Sequence, residues 1–261
     1  MTGPDQAWDP WTDQSYLRDS QYKTDVNLAA RQSIYAYQRP RIDLARETLD
    51  LARLDGREAV ADIGCGNGRY LAELARRGHA GPVLGADMSP GMLLAARDRA
   101  PRAALLVADA AALPVRDAAA GLTLAMHMLY HVPEPERAVR ELRRITRPGG
   151  RVIVGLNGAD HLRELRGLIA EALASLGRPP VQPRERIGLD QGERLLRSQF
   201  TSVTRHDFES RLRVPDAEPI AAYVRSRVPD AGPLAAAVLA RLPADPARFP
   251  ITTHSGCLVC I

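Results

Sequence analysis

Three glycines on alternate positions follow a short apolar run, and this feature limits the possible folds of the chain more than any other. Residues 60–70 read Val-Ala-Asp-Ile-Gly-Cys-Gly-Asn-Gly-Arg-Tyr, which predicts a strand, a tight turn and the first turn of a helix. Glycine permits the sharp backbone turn and lets a ligand approach the main chain closely. Such a loop is weak support for any one ligand, because nicotinamide dinucleotides use a similar loop.

Strand-like and helix-like segments alternate from this loop onward. The predicted strands are residues 59–63, 82–86, 104–107, 122–126 and 151–156, and the predicted helices are residues 70–77, 92–99, 135–145 and 162–176. Alternation of this kind is typical of a mostly parallel sheet with helices on both faces. The ligand crevice of such a sheet lies at the carboxyl ends of its strands. We therefore predict an α/β fold built on a Rossmann-like sheet.

The two ends of the chain differ from this alternating region. Residues 1 to about 14 form a polar tail, and helices are predicted over residues 15–38 and between Pro40 and Gly56. After a linker marked by Pro179, Pro180 and Pro183, we predict a helix at 189–197, an edge strand at 203–208, helices within 215–247 and a last strand at 251–261. The predicted division is an N-terminal tail and helical cap (1–40), a Rossmann-like core (41–177) and a C-terminal part (178–261). That last part holds a helical insert on the substrate side and the strands that complete the sheet.

Charge and composition exclude some classes of protein. The chain has 261 residues, of which 45% are hydrophobic, and a net charge of +4, so a folded core is expected and general disorder is not. Lys23 is the only lysine among 35 basic residues. The arginines are interleaved with acidic residues and form no long basic run, which disfavours a nucleic-acid partner. An arginine bias of this kind is also typical of a GC-rich genome.

The three cysteines predict a reducing compartment. Cys65, Cys257 and Cys260 have no disulfide framework spacing. Cys257 and Cys260 lie three positions apart in a predicted strand, where their side chains point to opposite faces, so no metal site is predicted. The sequence shows neither a secretory signal nor an apolar stretch of membrane-spanning length. We expect a soluble, cytoplasmic monomer or homodimer.

Three aspartates indicate the kind of ligand. Asp62 precedes the glycine loop, where its charge would repel a pyrophosphate and attract an ammonium group. Asp87 ends the next strand, at the position from which an acid binds ribose hydroxyls. Asp109 follows the third strand, where it could accept a hydrogen bond from an adenine amine or could form a turn. An ammonium, a ribose and an adenine without a pyrophosphate fit S-adenosylmethionine (SAM).

At these residues the chain resembles the class I SAM-dependent methyltransferases, in particular the small-molecule group often called type 11. The resemblance rests on Asp62–Gly68, Gly85–Met92, Ala108–Ala110 with Leu113–Pro114, His127–Val132 and Arg147–Gly150, in family order and spacing across about residues 58–156. It implies a seven-stranded, mostly parallel sheet whose last strand is antiparallel, with 203–208 and 251–260 as the final two strands. It also implies SAM as the cofactor and S-adenosylhomocysteine as the product.

The resemblance and the residue chemistry together give a set of candidate site residues. The cofactor-binding candidates are Asp62, Gly64, Cys65, Gly66, Asn67, Gly68, Asp87, Met88, Met92, Asp109, Ala110, His127, Tyr22 and Arg31. Arg31 is the candidate partner of the cofactor carboxylate. The catalytic candidates are His127, His131 and Tyr22, since a histidine that reaches the nucleophile can serve as a base. His127 could instead line the pocket or touch the cofactor, and His131 could brace the next helix.

Half of the aromatic residues precede Pro40. They are Trp8, Trp11, Tyr16, Tyr22, Tyr35 and Tyr37. These rings either pack the N-terminal helices on the body or form a cap over the sulfonium, which an aromatic face stabilises. The predicted function is methyl transfer from SAM to an oxygen, nitrogen or carbon atom of a small molecule, in secondary metabolism. The alternatives are non-methyl chemistry such as ring closure, RNA methylation, and SAM binding without catalysis.

Overall fold

One mixed sheet organises the chain. The computed structural model describes residues 11–179, 187–227 and 231–261. Within these residues the sheet has eight strands in the order β1-β7-β8-β6-β5-β2-β3-β4. The strands are β1 (Gln38–Arg39), β2 (Val60–Ile63), β3 (Val83–Asp87), β4 (Ala104–Val107), β5 (Ala120–Met126), β6 (Thr146–Asn157), β7 (Val203–Leu212) and β8 (Ile251–Cys260).

The sheet is parallel from β4 to β6 in this strand order, and it is antiparallel from β6 to β1. Strands β2 to β6 pair in parallel with their neighbours. Strand β8 runs antiparallel between β6 and β7, and β1 pairs antiparallel with one end of β7. The predicted α/β class with a Rossmann-like sheet is confirmed. The two-residue strand β1 is an addition to the expected seven strands, and it pairs with Arg211 and Leu212, beyond the residues 203–208 that were predicted as an edge strand.

Ten α-helices are described around this sheet. They are α1 (Gln14–Tyr16), α2 (Val26–Ser33), α3 (Leu44–Ala52), α4 (Arg69–Arg76), α5 (Pro90–Arg99), α6 (Pro135–Ile145), α7 (Arg163–Ser175), α8 (Leu189–Arg197), α9 (Ala217–Arg225) and α10 (Gly232–Leu239). Helices α6 and α8 have the predicted bounds. None of the described helices is long and apolar enough to cross a membrane.

The main core lies at the middle of the sheet. All seven residues of β5 are buried, as expected of a parallel strand that is covered on both faces. Helix α6 buries Ala138, Val139, Leu142 and Ile145 on one face, at the spacing of an amphipathic helix. The same cluster contains residues of β6 and β8. This packing fixes the carboxyl ends of the strands, where the site lies.

The continuous helix predicted over residues 15–38 is wrong. The segment folds as α1, a π-helical turn at Leu17–Gln21, α2 and a 3-10 turn at Ile34–Tyr37. The break at Tyr22 has a tertiary cause, because the Ser89 hydroxyl donates a 2.7 Å hydrogen bond to the Tyr22 carbonyl. The Asn27 side chain donates to the carbonyl of Gln21 at 3.2 Å. These bonds satisfy carbonyls that a continuing helix would have used.

The N-terminal segment lies against the glycine loop. Leu28 of α2 is so close to Gly66 that a Cβ on this glycine would lie 3.3 Å from the leucine Cδ2. One helical turn further along α2, the Gln32 side chain accepts a 3.3 Å hydrogen bond from the side-chain amide of Asn67. Trp8 and the linker residues Pro180 and Pro183 lie outside the described residues.

Candidate active site

A cavity of about 990 Å³ opens at the carboxyl ends of the parallel strands. The glycine loop and the ends of β3 and β5 form one side of it, and the N-terminal segment, α7, α9 and α10 form the other. This is the position at which sheets of this topology bind ligands. A second hydrophobic cluster, built from α7, α9, α10 and Ile34, supports the side away from the glycine loop.

The glycine loop has a backbone that requires glycine. Gly64, Gly66 and Gly68 have φ angles of 69°, 52° and 77°. A Cβ on Gly64 would lie 2.6 Å from the Cβ of Met128, and a Cβ on Gly68 would lie 2.9 Å from the backbone of Ala96. The loop therefore needs both the left-handed conformation and the missing side chain.

Asp87 holds the loop and also faces the cavity. One carboxylate oxygen accepts a 2.9 Å hydrogen bond from the Gly66 N–H, and the other accepts a 2.9 Å bond from the Ser89 N–H. Burial raises the pKa of Asp87, against the opposing effect of these two bonds. Each oxygen keeps a second lone pair, so the carboxylate can also accept hydrogen bonds from a ligand's hydroxyl groups.

Asp62 is a buried acid beneath the loop. Its side chain is 1% exposed, and within the described part of the chain neither carboxylate oxygen has a hydrogen-bond partner. Burial, with a smaller effect of Asp87, raises the pKa of Asp62 to about 8. Two acids this close, one of them without a hydrogen-bond donor, favour a positively charged ligand. Asp62 and Gly68 are the two predicted cofactor residues that do not line the cavity.

The other predicted cofactor residues meet at the cavity. Twelve of the fourteen line it: Gly64, Cys65, Gly66, Asn67, Asp87, Met88, Met92, Asp109, Ala110, His127, Tyr22 and Arg31. Asp109 also forms a turn, because its carboxylate accepts a 2.9 Å hydrogen bond from the Ala111 N–H. Burial raises the pKa of the Cys65 thiol, so this sulfur stays protonated. Cys257 and Cys260 are buried on β8 and do not line the cavity.

His127 lines the cavity in an unusual backbone conformation. Its φ angle is 55°, and its N–H donates a 2.9 Å hydrogen bond to the Gly155 carbonyl. Burial, with a contribution from Arg69, lowers the pKa of His127 to about 4. A ring with this pKa is neutral near pH 7 and is a weak proton acceptor, which favours the pocket-lining interpretation over the catalytic one.

His131 and Tyr22 form a hydrogen-bonded pair in the cavity wall. The His131 Nε2 lies 2.9 Å from the Tyr22 hydroxyl, and its Nδ1 lies 2.9 Å from the backbone carbonyl of Trp11. A carbonyl only accepts, so Nδ1 carries the proton of the neutral ring and Nε2 accepts from the Tyr22 O–H. The Trp11 ring stacks on the imidazole at 6.0 Å between centroids. The pair thus presents a basic nitrogen behind a tyrosine hydroxyl.

A second pair of the same type faces the cavity. His161 Nε2 lies 2.9 Å from the Tyr35 hydroxyl, and the ring stacks on Tyr35. The His254 N–H donates a 3.1 Å hydrogen bond to His161 Nδ1, so the neutral ring carries its proton on Nε2 and donates it to Tyr35. Burial, with smaller effects of His127 and Arg166, lowers the pKa of His161 to about 3.

His161 was absent from the predicted site. His161 lies four positions after the last residue of β6, and His127 lies one position after the last residue of β5. The end of a parallel strand was therefore a usable signal for both histidines. Its pairing with Tyr35 joins residues 126 positions apart, and neither residue type nor spacing indicates this contact.

A charged clamp holds the loop that carries His161. His254 Nδ1 lies 2.6 Å from an oxygen of Asp160, and its Nε2 lies 2.7 Å from an oxygen of Asp207. Burial opposes protonation of His254, but the bonds to Asp207 and Asp160 outweigh it and raise the pKa of this residue. The protonated ring can donate to both carboxylates and thereby ties this loop to β7 and β8.

Two half-buried arginines with aromatic neighbours also line the cavity. Arg31 of α2 lies 6.0 Å from the Trp11 ring centroid and 5.3 Å from that of Tyr22. Arg227, just past α9, lies 5.3 Å from the Trp11 centroid and 5.7 Å from that of Tyr223. The cavity thus has acidic groups at the glycine loop and the end of β3, and a basic, aromatic part of its wall around Trp11.

Comparison with known proteins identifies several methyltransferases as similar to this chain. Residues 61–154 match the family model described as a methyltransferase domain. An uncharacterized methyltransferase of Mycobacterium tuberculosis is 29% identical over 187 residues, which is 72% of each chain. A methyltransferase from an antibiotic biosynthesis pathway of Anabaena variabilis has a similar structure, with a TM-score of 0.62 and 19% identity over 84% of this chain and 96% of that one.

A protein with a different named activity has the same fold. The [4+2]-cyclase SpnF matches with a TM-score of 0.54 and 22% identity, over 83% of this chain and 80% of the cyclase. At such identities the structural matches show the fold alone. The chemistry has to be inferred from the side chains of the cavity.

Proposed function

The chain belongs to the class I SAM-dependent methyltransferases, and we propose that it methylates a small molecule held in the cavity between the glycine loop and the N-terminal segment. One observation carries this proposal. Twelve predicted cofactor residues and a tyrosine–histidine pair that can accept a proton line a single cavity of about 990 Å³. A cavity of this size and depth suits a small acceptor better than a nucleic acid.

The residues at the glycine loop fit SAM by charge and shape. When bound, SAM supplies a methyl group whose bond to a positively charged sulfur breaks as the bond to the acceptor forms, leaving S-adenosylhomocysteine. The backbone of Gly64–Asn67 would hold the amino-acid end, and Asp87 would bind the ribose hydroxyls. Asp109 and Ala110 would hold the adenine. Asp62, buried with a pKa of about 8, would lose its proton when a cation binds and would then supply the negative charge that a cationic ligand requires.

The chain's contribution to catalysis is orientation and proton removal. Holding two reactants in line can supply roughly 7–11 kcal/mol of the barrier reduction. The N-terminal segment excludes water from the side opposite the loop. For a hydroxyl acceptor, Tyr22 Oη takes the acceptor's proton while its own proton moves to His131 Nε2. The Trp11 carbonyl then holds the Nδ1–H of the resulting imidazolium.

The acceptor atom remains open under this proposal. A carboxylate or an unprotonated amine needs positioning alone, whereas a hydroxyl needs the tyrosine–histidine pair. Ring closure is the second candidate, and the shared fold of the cyclase SpnF is the observation that favours it. Mass spectrometry of the product separates the two, because methyl transfer adds one methyl group and ring closure adds none.

Calorimetric titration with S-adenosylhomocysteine tests the cofactor part of the proposal. We expect binding to the wild-type protein and at least about tenfold weaker binding to Asp87→Ala, because two ligand hydrogen bonds to a charged group are removed. Asp87→Asn, which keeps one acceptor oxygen, should lie between the two. Circular dichroism shows whether each variant is folded. A folded wild-type protein that binds neither SAM nor S-adenosylhomocysteine would rule out the proposed function.

A further inference from the structure

Two half-buried arginines in the cavity wall lack an acidic partner. Arg31 and Arg227 both line the cavity, and across residues 11–179, 187–227 and 231–261 neither guanidinium has a carboxylate within 4.0 Å. Arg166, which also lines the cavity without a carboxylate partner among these residues, is exposed. Other arginines of the chain are paired, for example Arg144 with Glu141 at 2.7 Å and Arg205 with Asp207 at 2.8 Å. A half-buried charge without a counter-charge is unfavourable unless a ligand supplies one.

Arg31 has one occupied and one vacant donor group. Its Nη1 donates a 2.9 Å hydrogen bond to the Ser226 carbonyl. Its Nη2 is buried and has no hydrogen-bond partner among the described residues. The rings of Trp11 and Tyr22 hold the guanidinium in place without satisfying its N–H groups. A planar guanidinium with vacant donors suits a carboxylate, which it can bind through two parallel hydrogen bonds.

Arg227 lies beside the same carbonyl and the same ring. It is the residue after Ser226, whose carbonyl receives the Arg31 bond, and it approaches the Trp11 ring from 5.3 Å. Its Nη1 donates to the Tyr223 hydroxyl at 3.0 Å, an uncharged acceptor. Two guanidiniums around one indole repel each other, and an anion between or beside them would relieve that repulsion.

A neutral donor and an apolar wall adjoin the arginines. Tyr35 accepts from His161, so the O–H proton of Tyr35 can be donated to a molecule in the cavity. Burial raises the pKa of Tyr35 and keeps its hydroxyl protonated, although the nearby Arg227 and Arg31 act in the opposite direction. The rest of this wall is aliphatic, and its residues are Leu162, Ile169, Leu173 and Leu234. An apolar body with one acidic group would match this surface.

We propose that Arg31 and Arg227 bind a carboxylate of the methyl acceptor, so that the substrates of this enzyme are small organic acids with an apolar body. This assignment rests on the proposed function, because it takes the glycine-loop side of the cavity as the cofactor site. The acidic loop and the basic wall would then bind the cationic cofactor and the anionic acceptor at opposite ends. The methyl acceptor atom would lie between them, beside Tyr22.

A carboxylate could also come from the cofactor, the source predicted for Arg31 from the sequence. The two sources differ in a measurable way. 5′-Methylthioadenosine has the adenosine and the sulfur of S-adenosylhomocysteine but lacks its amino-acid carboxylate. Arg31→Lys keeps a charge and a donor for the Ser226 carbonyl, but it removes the planar guanidinium that can bind a carboxylate through two parallel hydrogen bonds. If Arg31 binds the acceptor, this substitution changes the affinity for both ligands by less than about threefold.

Calorimetry with benzoate and benzamide tests the acid site directly. The wild-type protein saturated with S-adenosylhomocysteine should bind benzoate at least about tenfold more tightly than the uncharged benzamide. Arg227→Gln should abolish this preference. Arg225→Gln, which removes an equal charge from the exposed, Glu218-paired arginine at the end of α9, should keep it.

Three results would overturn the proposal. Equal binding of benzoate and benzamide to the wild-type protein would remove the acid site. An equal loss in Arg225→Gln and Arg227→Gln would reduce the preference to general charge. If Arg31→Lys weakens S-adenosylhomocysteine but not 5′-methylthioadenosine, Arg31 binds the cofactor and not the acceptor. Failure of the wild-type protein to bind S-adenosylhomocysteine is a separate outcome, which contradicts the proposed function itself.

Discussion

Two tyrosine–histidine pairs face one cavity, and in both the tyrosine hydroxyl lies 2.9 Å from the histidine Nε2. The direction of the hydrogen bond differs between the two pairs. In the first pair Tyr22 donates to His131, and in the second His161 donates to Tyr35. The difference lies at the other ring nitrogen. His131 Nδ1 meets the Trp11 carbonyl, which only accepts, and His161 Nδ1 meets the His254 N–H, which only donates.

This difference assigns different chemistry to residues of the same type. In the first pair the Nε2 lone pair of His131 accepts from the Tyr22 hydroxyl, so Tyr22 can remove a proton from an acceptor while its own proton moves to His131. The second pair has no vacant acceptor nitrogen, and burial lowers the pKa of His161 to about 3. Tyr35 therefore serves as a donor to a bound molecule. The backbone group at the histidine Nδ1 thus determines whether a pair can act as a base or as a hydrogen-bond donor to a bound molecule.

Substitution of the two tyrosines gives the largest expected difference between the pairs. We expect Tyr22→Phe to lower kcat for a hydroxyl acceptor by about 100-fold, because a positioned proton acceptor contributes roughly 10²–10⁴ in rate. Tyr35→Phe should mainly raise KM, since it removes one neutral hydrogen bond to the acceptor. Formation of S-adenosylhomocysteine, followed by liquid chromatography, measures both variants under the same conditions.

His131→Gln sharpens this prediction. The glutamine amide can donate to the Trp11 carbonyl and accept from Tyr22, so it preserves the hydrogen bonds but cannot take up a proton. It should lose as much activity as Tyr22→Phe. Equal losses in Tyr22→Phe and Tyr35→Phe would show instead that both pairs only shape the cavity.

Removal of Trp11 should give the second largest effect on kcat. Deletion of residues 1–11 removes the carbonyl that fixes the His131 tautomer and the ring that stacks on it. We expect a loss of about tenfold in kcat relative to a chain lacking residues 1–10, because a misoriented base transfers protons less efficiently. The two chains differ by Trp11 alone, so their activity ratio isolates this residue. The hydrogen bonds that fix the second pair join His161 to Tyr35 and to the His254 N–H, and a loss in benzoate binding without a loss in kcat would contradict the assignment of Trp11 to the base.

The sheet and its glycine loop were predictable from local pattern. The apolar runs that became β2 to β6 are short and bounded by glycine, proline or aspartate, and their order follows from the alternation with helices. Helices such as α6 carry their buried face in the sequence itself. The break at Tyr22 was not predictable, because the Ser89 hydroxyl that causes it is 67 positions away.

The proposed cofactor side of the site was predictable for the same reason, and the proposed acceptor side was not. Asp87 ends β3 and Asp109 follows β4, so both lie near the loop by topology. The acceptor side is assembled from α2, α7, α9 and the loop after β6, whose mutual positions depend on tertiary packing. Arg31 was a candidate from the sequence, but its contacts with Trp11, Tyr22 and the Ser226 carbonyl were not predicted. Arg227 carried no local signal that distinguishes it from a surface arginine, and the one signal for His161 was its position after β6.

Acid stability offers a smaller, thermodynamic test of the second pair. The folded pKa of His161 is about 3, below its ordinary value of 6.5, so on acidification the unfolded chain takes up this proton first. The contribution of His161 to stability is therefore present above pH 6.5 and is lost as the pH drops toward 3. Between pH 7 and pH 5 this residue should account for a loss of about 2 kcal/mol, or roughly 4–8 °C in Tm. His127, with a pKa of about 4, adds a loss of the same sign, and Asp62, with a pKa of about 8, acts in the opposite direction.

His161→Gln should remove the part of the pH dependence that His161 contributes, while His127 titrates in both proteins. A glutamine oxygen can accept from the His254 N–H while its amide donates to Tyr35, and neither group titrates. Thermal unfolding of the two proteins at pH 7, 6 and 5 should therefore give curves that approach each other as the pH falls. Parallel curves would mean that His161 titrates normally and that the second pair lacks the assigned burial effect.

Nuclear magnetic resonance gives the most direct test, although it involves no change in stability or rate. In a ¹⁵N-labelled protein the protonated and bare ring nitrogens of a neutral histidine differ strongly in chemical shift. We expect His131 to carry its proton on Nδ1 and His161 to carry its proton on Nε2, because each backbone partner accepts or donates but cannot do both. Tyr22→Phe and Tyr35→Phe assign the two rings. Since both tyrosine hydroxyls can donate or accept, only the Trp11 carbonyl and the His254 N–H can produce opposite tautomers. Identical tautomers would therefore contradict the separation of the two pairs into base and donor.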